Sequence, residues 1–256
     1  MTAAPPPGAP EPFIGTAGWS LPLAEQARFP GEGAHLERYA RVFRAAEINS
    51  TFHRPHREST FGRWAESVPA DFRFSVKLPK AITHQARLVD ASTRVEEFIA
   101  QLAPLRSRIG CLLVQLPPKL DFSASVARGF LDHLREASEA DVAIEPRHPS
   151  WFTAEADRLL ATCRVARVAA DPPRGERGEE PGGWQGLAYY RLHGSPRVYY
   201  SSYGEGFLDD LALQLALLRG EGVRTWCIFD NTTLGAGTGN ALALMERMRE
   251  VPLMRT

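Results

Sequence analysis

The feature that most constrains the fold of this chain is an eightfold alternation of short apolar segments with helical patterns. The apolar segments cover residues 13–17, 45–49, 72–77, 110–115, 142–145, 165–170, 187–193 and 224–230. Leu208, Leu211, Leu215 and Leu218 illustrate the helical spacing found between them. Eight such units in 256 residues match the size of a (β/α)8 barrel, although a doubly wound open sheet uses the same βαβ repeat. We therefore predict an α/β fold consisting of a single TIM-type (β/α)8 barrel, with parallel strands and outer helices.

The pattern also indicates where the domain begins and where one helix is missing. Residues 1–12, MTAAPPPGAPEP, are rich in Pro and Ala and are predicted to be a disordered lead-in to a barrel domain over residues 13–256. The stretch PPRGERGEEPGGWQG, between the sixth and seventh segments, has no helical period and predicts a loop. A last helix is predicted over residues 240–249.

Composition argues against several classes of protein. The formal net charge is +0, so no global positive field favours nucleic acid, although a local basic groove stays open. Cys111, Cys163 and Cys227 lie far apart without CxxC spacing, which predicts buried reduced thiols. The chain starts without a secretory signal pattern, and no apolar run approaches the roughly 20 residues that a membrane span needs. We therefore expect a cytoplasmic protein with no membrane partner.

Polar residues collect at the ends of the predicted strands. In FRFSVK, residues 72–77, the aromatic and aliphatic side chains share one face, and Arg73, Ser75 and Lys77 share the other. In a barrel, one face of each strand packs on helices and the other fills the interior. Most other strands end in polar side chains on the inner face or directly after it: Glu47, Asn49, Gln115, Glu145, Arg191, His193, Asp230 and Asn231. Because active sites of such barrels gather at the carboxyl ends of the strands, we predict that these residues converge there.

Several longer motifs indicate a family. They are FIGTAGWS, YARVFRAAEINSTFHRP, FRFSVKLPKAITHQARL, LLVQLPP, VAIEPRHPSW, YYRLHG and FDNTTLGAGTGNA, in this order from residue 13 to residue 241. The chain thereby resembles the YecE-like family (domain of unknown function 72). The resemblance implies a TIM-type barrel, in agreement with the strand pattern, and it implies no known reaction.

Three hypotheses fit the chemistry of these residues. In the first, cations bind a phosphate or carboxylate of a small anionic molecule, and carboxylates and histidines perform acid/base catalysis, as in a hydrolase or lyase. The catalytic candidates are then Glu47, Lys77, Glu145, His148, His193 and Asp230. The ligand-binding candidates are Trp19, Asn49, His53, His84, Gln115, Arg147, Arg191 and Asn231.

The second and third hypotheses assign the same residues differently. In the second, a divalent metal for phosphoester hydrolysis, as in apurinic-site endonuclease barrels, is held by Glu47, Glu145, His148, His193 and Asp230. In the third, the residues form a binding site without turnover or a structural salt-bridge network. We favour the first, because lysine and arginine oppose cation binding and no HxH or HExxH spacing is present. No metal is predicted, and the sequence identifies no cofactor.

Lys77 and Glu145 are both predicted to point into the barrel. An unpaired charge is costly there. Each of the two should therefore have an opposite partner or a ligand.

Overall fold

The structure is a computed structural model that describes residues 10–251. Within this range the strands are β1 (Phe13–Ala17), β2 (Ala45–Ile48), β3 (Arg73–Lys77), β4 (Ile109–Gln115), β5 (Asp141–Glu145), β6 (Val165–Arg167), β7 (Ala169–Asp171), β8 (Gly182–Gly183), β9 (Leu187–Leu192) and β10 (Arg224–Phe229). The α-helices are α1 (His35–Ala40), α2 (Glu58–Glu66), α3 (Ser92–Gln101), α4 (Ala124–Ala137), α5 (Ala154–Thr162), α6 (Glu205–Gly220) and α7 (Ala236–Glu250). Short helical turns cover Leu23–Arg28, Ser50–Phe52, Ala81–Gln85, Ala103–Arg108 and Pro149–Trp151.

The strands form a nearly closed parallel barrel, which confirms the predicted fold. β1 lies between β10 and β2, and the order continues through β3, β4 and β5 to β6. The predicted sixth strand is divided at Val168. Its first part, β6, pairs with β5, and its second part, β7, pairs with β9, so the ring passes through two short segments.

As predicted, the long segment between β7 and β9 contains no helix within its fully described length. Gly182–Gly183 pairs antiparallel with β6, and a side chain at Gly183 would meet the Val165 carbonyl oxygen at 2.6 Å. Arg167 donates to Asp157 over 2.9 Å and to the backbone oxygen of Arg177 over 3.3 Å. The segment is therefore tied to the barrel wall by both backbone and side chain.

Apolar side chains pack on both faces of the strands. The larger layer lies between the strands and the helices, where Phe74 and Val76 of β3 pack. A smaller cluster fills the barrel interior, and it includes Ala45, Leu113, Ala143 and Tyr189. Each of these four precedes a polar inward-facing residue by two positions in its own strand. The interior is therefore apolar towards the amino ends of the strands and charged towards their carboxyl ends.

Helix α7 differs from its prediction, because it begins at Ala236 rather than at residue 240. Glycine has a low helix propensity, so GAGTGN did not predict a helical start. Tertiary packing overrides that propensity. A side chain at Gly237 would meet Asn231 Oδ1 at 2.9 Å, so the absence of a side chain allows the helix to approach the end of β10.

The remaining expectations about the chain concern its ends and its cysteines. Residues 1–9 of the predicted lead-in lie outside the described residues, and Glu11 accepts hydrogen bonds from Arg219 Nη1 over 3.0 Å. The three cysteines are free and buried, as predicted. None of the helices in the described part of the chain has the length and hydropathy that a membrane span requires.

Candidate functional site

Five ionisable side chains meet inside the carboxyl end of the barrel. Three lie on strands, each two residues after an apolar residue of the interior, and two directly follow the ends of β9 and β10. All five are at most 6% exposed. We call them the buried charge network: Glu47, Glu145, Arg191, His193 and Asp230.

Arg191 lies at the centre of this network and contacts all three carboxylates. Its Nε and Nη2 donate to the two oxygens of Glu47 over 2.9 and 2.7 Å, as a bidentate pair. Its Nη1 lies 3.2 Å from Glu145 Oε2, and its Nη2 lies 3.0 Å from Asp230 Oδ2. One guanidinium therefore ties β2, β5 and the end of β10 together across the barrel.

The His193 ring bridges two of the same carboxylates. Its Nδ1 lies 2.9 Å from Asp230 Oδ2, and its Nε2 lies 2.8 Å from Glu145 Oε1. Arg147 Nη2 lies 3.1 Å from the same Nε2, so the ring contacts a guanidinium as well as two carboxylates. Both ring nitrogens are thus engaged by side chains of the network and by Arg147.

The two carboxylates that contact His193 stay ionised despite their burial. Burial raises the pKa of Glu145, but the surrounding cations, above all Arg191, outweigh it and hold that pKa well below its usual range. At Asp230 burial also opposes ionisation, and Arg191, the contact with His193 and the charge of Lys77 leave its pKa lowered. The charges of the network therefore depend on one another.

Neighbouring residues complete the hydrogen bonds of the network. Gln115 Nε2 donates to Glu145 Oε2 over 2.8 Å, and Arg147 Nη2 donates to Glu145 Oε1 over 2.6 Å. On the apolar side, the Tyr189 hydroxyl lies 3.0 Å from Glu47 Oε2 and 2.8 Å from Ser75 Oγ. Glu145 therefore has several donors around it, as expected for a buried charge.

Lys77, at the end of β3, departs from this pattern. It is 5% exposed, yet none of the residues 10–251 forms a hydrogen bond or an ion pair with its Nζ. Nζ lies instead over the ring of Phe52, 4.2 Å from the centroid. Burial and the charge of Arg191 lower the pKa of Lys77 to about 8, although the three carboxylates of the network act in the opposite direction. Among residues 10–251 Lys77 therefore lacks the opposite partner of the sequence prediction, and the alternative, a ligand, stays a prediction.

The loop after β2 holds Phe52 against Lys77. Thr51 Oγ1 donates to the backbone oxygen of Lys77 over 2.6 Å, which fixes the turn Ser50–Phe52 on the end of β3. His84 packs edge-on against the same phenyl ring, with 4.9 Å between the ring centroids. Its Nδ1 is 2.9 Å from Thr83 Oγ1. Burial, Lys77 and Arg147 lower the pKa of His84, so its ring is neutral at neutral pH.

Arg147 lies between the network and this group. Its side chain is 12% exposed, and its Nε is buried without a hydrogen-bond partner among the described residues. An unpaired buried donor is costly and favours a ligand oxygen at that position. We call the four residues Phe52, Lys77, His84 and Arg147 the barrel mouth.

Two asparagines from the prediction lie at strand ends beside these groups. Asn49 Oδ1 is buried and has no hydrogen-bond partner among residues 10–251. Asn231 Nδ2 donates to the Ser201 backbone oxygen over 2.8 Å and to Asn240 Oδ1 over 2.9 Å. Asn231 therefore connects a loop to α7. Its own Oδ1, like that of Asn49, is buried and has no hydrogen-bond partner among the described residues.

Three predicted site residues are not brought into the network or the mouth. His148 Nδ1 bonds to Ser150 Oγ over 2.8 Å and caps the short turn that follows. His53 is exposed. Trp19 packs edge-on against Trp64 of α2, with 5.0 Å between ring centroids. All three lie in loops beyond the strand ends, where the alternation of side chains no longer determines their direction.

Two residues of the site were missed by the sequence analysis. Phe52 is apolar, and the prediction was based on charged and polar strand ends. Tyr189 lies on the same strand face as Arg191, but its hydroxyl was given no role. The alternation that places Arg191 in the interior also places Tyr189 there, so the signal for Tyr189 was available.

The carboxylates that would hold a metal ion are already engaged. Both oxygens of Glu47 and both oxygens of Glu145 accept hydrogen bonds from network or neighbouring side chains. In the described part of the chain, no group of three or more His, Cys, Asp or Glu side chains is arranged to hold a metal ion.

Sequence comparison identifies a family and individual relatives of this chain. A family model described as "Protein of unknown function DUF72" matches residues 13–255. The UPF0759 protein YecE of Escherichia coli (strain K12) is 36% identical over 141 residues, which is 55% of this chain and 50% of that protein. The chain thus spans about half the length of the curated relatives it matches.

Solved structures of the family share the fold. A DUF72 family protein from Thermotoga maritima MSB8 superposes with a TM-score of 0.75 at 26% identity, over 94% of this chain and 100% of that chain. One from Enterococcus faecalis V583 has a TM-score of 0.78 at 18% identity, over 95% of this chain and 98% of that chain, and supports the fold alone. The family model covers nearly the whole chain and the YecE-like motifs lie within it, so this chain belongs to the DUF72 family.

Proposed function

We propose that this barrel is an enzyme that binds a small anionic substrate, bearing a phosphate or carboxylate, at the barrel mouth and acts on it by acid/base chemistry. The observation that carries the proposal is Lys77, a buried cation with no hydrogen bond or ion pair among residues 10–251, together with Arg147, whose Nε has no partner in the described residues. Both groups are hydrogen-bond donors that the fold leaves unused. An anionic group would satisfy both.

The ion pairs at this end of the barrel also favour an anion. Arg147 pairs with Glu145, and Arg191 pairs with all three carboxylates of the network, whereas Lys77 forms no ion pair among residues 10–251. A protonated Lys77 therefore carries a charge that no carboxylate contacts directly. In a site of low dielectric, such a charge attracts an anion more strongly than it would in water.

The mouth also contains groups suited to proton transfer. His84 is neutral at neutral pH because its pKa is lowered, and no residue in the range 10–251 bonds to its Nε2. Lys77, with its pKa of about 8, exchanges a proton near physiological pH. We therefore assign proton transfer to Lys77 and His84. Glu47, His193 and Asp230 would position these groups and contribute to the electrostatic field on the interior side of the mouth.

The other two hypotheses have less support. A metal centre would have to displace Arg191 and Arg147 from carboxylates that they already neutralise. A binding barrel without turnover shares the anion site and differs only in the absence of proton transfer.

Inorganic phosphate and malonate test the anion site. We expect each to raise the melting temperature of the wild-type protein at constant ionic strength, and a ligand at 100 times its Kd would add about 2.7 kcal/mol of stability. The effect should disappear in Lys77→Met and in Arg147→Met. Lys80→Met is the matched control, because Lys80 is exposed three residues further along, and it should keep the full effect. Retention of the full effect in Lys77→Met would contradict the proposed site.

Proton transfer is tested separately from binding. Small oxo acids and sugar phosphates are incubated with the enzyme in D2O, and proton NMR follows exchange of their carbon-bound hydrogens. We expect exchange that is lost in His84→Gln while phosphate binding is kept. Binding of anions without exchange or cleavage of any compound would favour the non-catalytic barrel.

A further inference from the structure

The chain uses lysine very sparingly. Of its 30 lysine and arginine residues only Lys77, Lys80 and Lys119 are lysines. Lys80 and Lys119 are exposed, whereas Lys77 lies at the end of a barrel strand. Arginine meets the demand for positive charge almost everywhere else, including the centre of the network. A lysine at the mouth therefore points to chemistry that arginine cannot perform, and the main candidate is nucleophilic attack by an amine.

The surroundings of Nζ suit a nucleophile. A catalytic amine must be held in place without an ion pair to a carboxylate, because such a pair would stabilise its protonated form. Phe52 contacts Nζ through its ring face, 4.2 Å away, and Thr51 anchors the backbone of Lys77. No acceptor among the described residues bonds to Nζ, so its lone pair, once the proton has left, stays available.

We propose that Lys77 Nζ forms an imine with the carbonyl carbon of a substrate that also carries a carboxylate or phosphate, such as a 2-oxo acid or a phosphorylated ketone. This inference rests on the proposed function, because Arg147 would hold the anionic group while Lys77 reacts. Arg147 is close enough to influence the same ring, His84, that Lys77 influences.

The reaction balances without a further reactant. Neutral Nζ attacks the carbonyl carbon, a C–N bond forms, and the C=O electron pair moves to oxygen. That oxygen takes up one proton from Nζ and one from solvent. The nitrogen lone pair then forms the C=N bond as the C–O bond breaks and water leaves, and the product is a protonated iminium. The iminium then draws the electrons of an adjacent C–H bond into an enamine, and His84 Nε2 accepts the proton.

The ionisation of Lys77 supports this role. With a pKa of about 8, about a quarter of the Nζ groups are neutral at pH 7.5, against about one in a thousand for an ordinary lysine. Besides burial, the charged groups that set this value lie on three strands and at the end of a fourth. They are Arg191, Glu47, Glu145 and Asp230, with His84 and Phe52 beside the amine.

Reductive trapping tests the proposal. The 256-residue chain is incubated at pH 7.5 with cyanoborohydride and either pyruvate or dihydroxyacetone phosphate, and peptide mass spectrometry locates the reduced adduct. We expect Lys77 to be modified at least about tenfold faster than Lys80 and Lys119, which serve as internal controls in the same molecule. The two carbonyl compounds show whether the carboxylate or the phosphate is recognised. Inorganic phosphate should slow the modification of Lys77 and leave that of Lys80 unchanged.

The outcomes separate this inference from the proposed function. Lys77→Arg should abolish the fast adduct while Lys80→Arg keeps it. If phosphate stabilises the wild-type protein but Lys77 reacts no faster than Lys80 with both compounds, the imine is overturned and the anion site stands. If neither stabilisation nor trapping is found, both are overturned.

Discussion

Replacing Arg191 by methionine should lower the free energy of unfolding by about 3–5 kcal/mol. The substitution removes the one guanidinium that contacts Glu47, Glu145 and Asp230, all of which are buried. The carboxylates would then be left with too few counter-charges in a site with little water. Urea unfolding at pH 7 measures the loss.

A second substitution shows whether the loss arises from charge. Glu47→Gln in the Arg191→Met background removes the carboxylate that shares the bidentate pair, and we expect it to restore a substantial part of the stability. Arg177→Met is the control, because Arg177 is exposed and pairs with Glu180 on the surface. A loss in Arg191→Met no larger than that in Arg177→Met would show that the network does not depend on Arg191.

The same variant should change the response to acid. Glu145 and Asp230 have lowered pKa values in the folded state, so the stability they contribute is present above the unfolded pKa, near 4, and is lost as the pH falls towards the folded values. Without Arg191 the pKa values rise towards those of the unfolded chain. We therefore expect a shallower fall in the free energy of unfolding between about pH 5 and pH 3 in Arg191→Met than in the wild type.

Replacing Lys77 by methionine should have the opposite effect and raise the free energy of unfolding at pH 7 by about 1–3 kcal/mol. The pKa of Lys77 falls from 10.5 to about 8 on folding, so below pH 8 the folded protein carries a charge that its surroundings disfavour. Methionine fills a similar space without a charge. Its contact with Phe52 would replace only part of the cation–π interaction, and the part that is lost reduces the expected gain in stability.

The pH dependence of this gain follows from the direction of the shift. Between pH 8 and about pH 10.5 the folded protein releases the Lys77 proton while the unfolded chain keeps it, so the wild type becomes more stable as the pH rises. The difference between Lys77→Met and the wild type should therefore shrink by pH 10. Lys80→Met should show no such trend, because Lys80 is exposed. A Lys77→Met protein that is less stable than the wild type at pH 7 would mean that Lys77 is neutralised by the network.

Local sequence patterns were sufficient to predict the barrel and the direction of its strand side chains. Alternation within a strand follows from backbone geometry, so the inward positions of Glu47, Glu145 and Arg191 could be derived from their distance to apolar neighbours. The same rule fails one or two residues beyond a strand. His148, His53 and Trp19 lie in loops, whose side chains are directed by local caps and by contacts with helices.

Pairing within the site was decided by the tertiary structure alone. The sequence indicated that Lys77 and Glu145 both point into the barrel, and it gave no reason to distinguish them. In the folded protein Glu145 is surrounded by donors from β4, β9 and its own strand end, whereas Lys77 faces Phe52. Which inward-facing charges become partners depends on the strand register and on the loop that covers each position. Both arise from contacts between residues far apart in the chain, and for that reason only the folded barrel reveals that one cation at its mouth has no partner among the described residues.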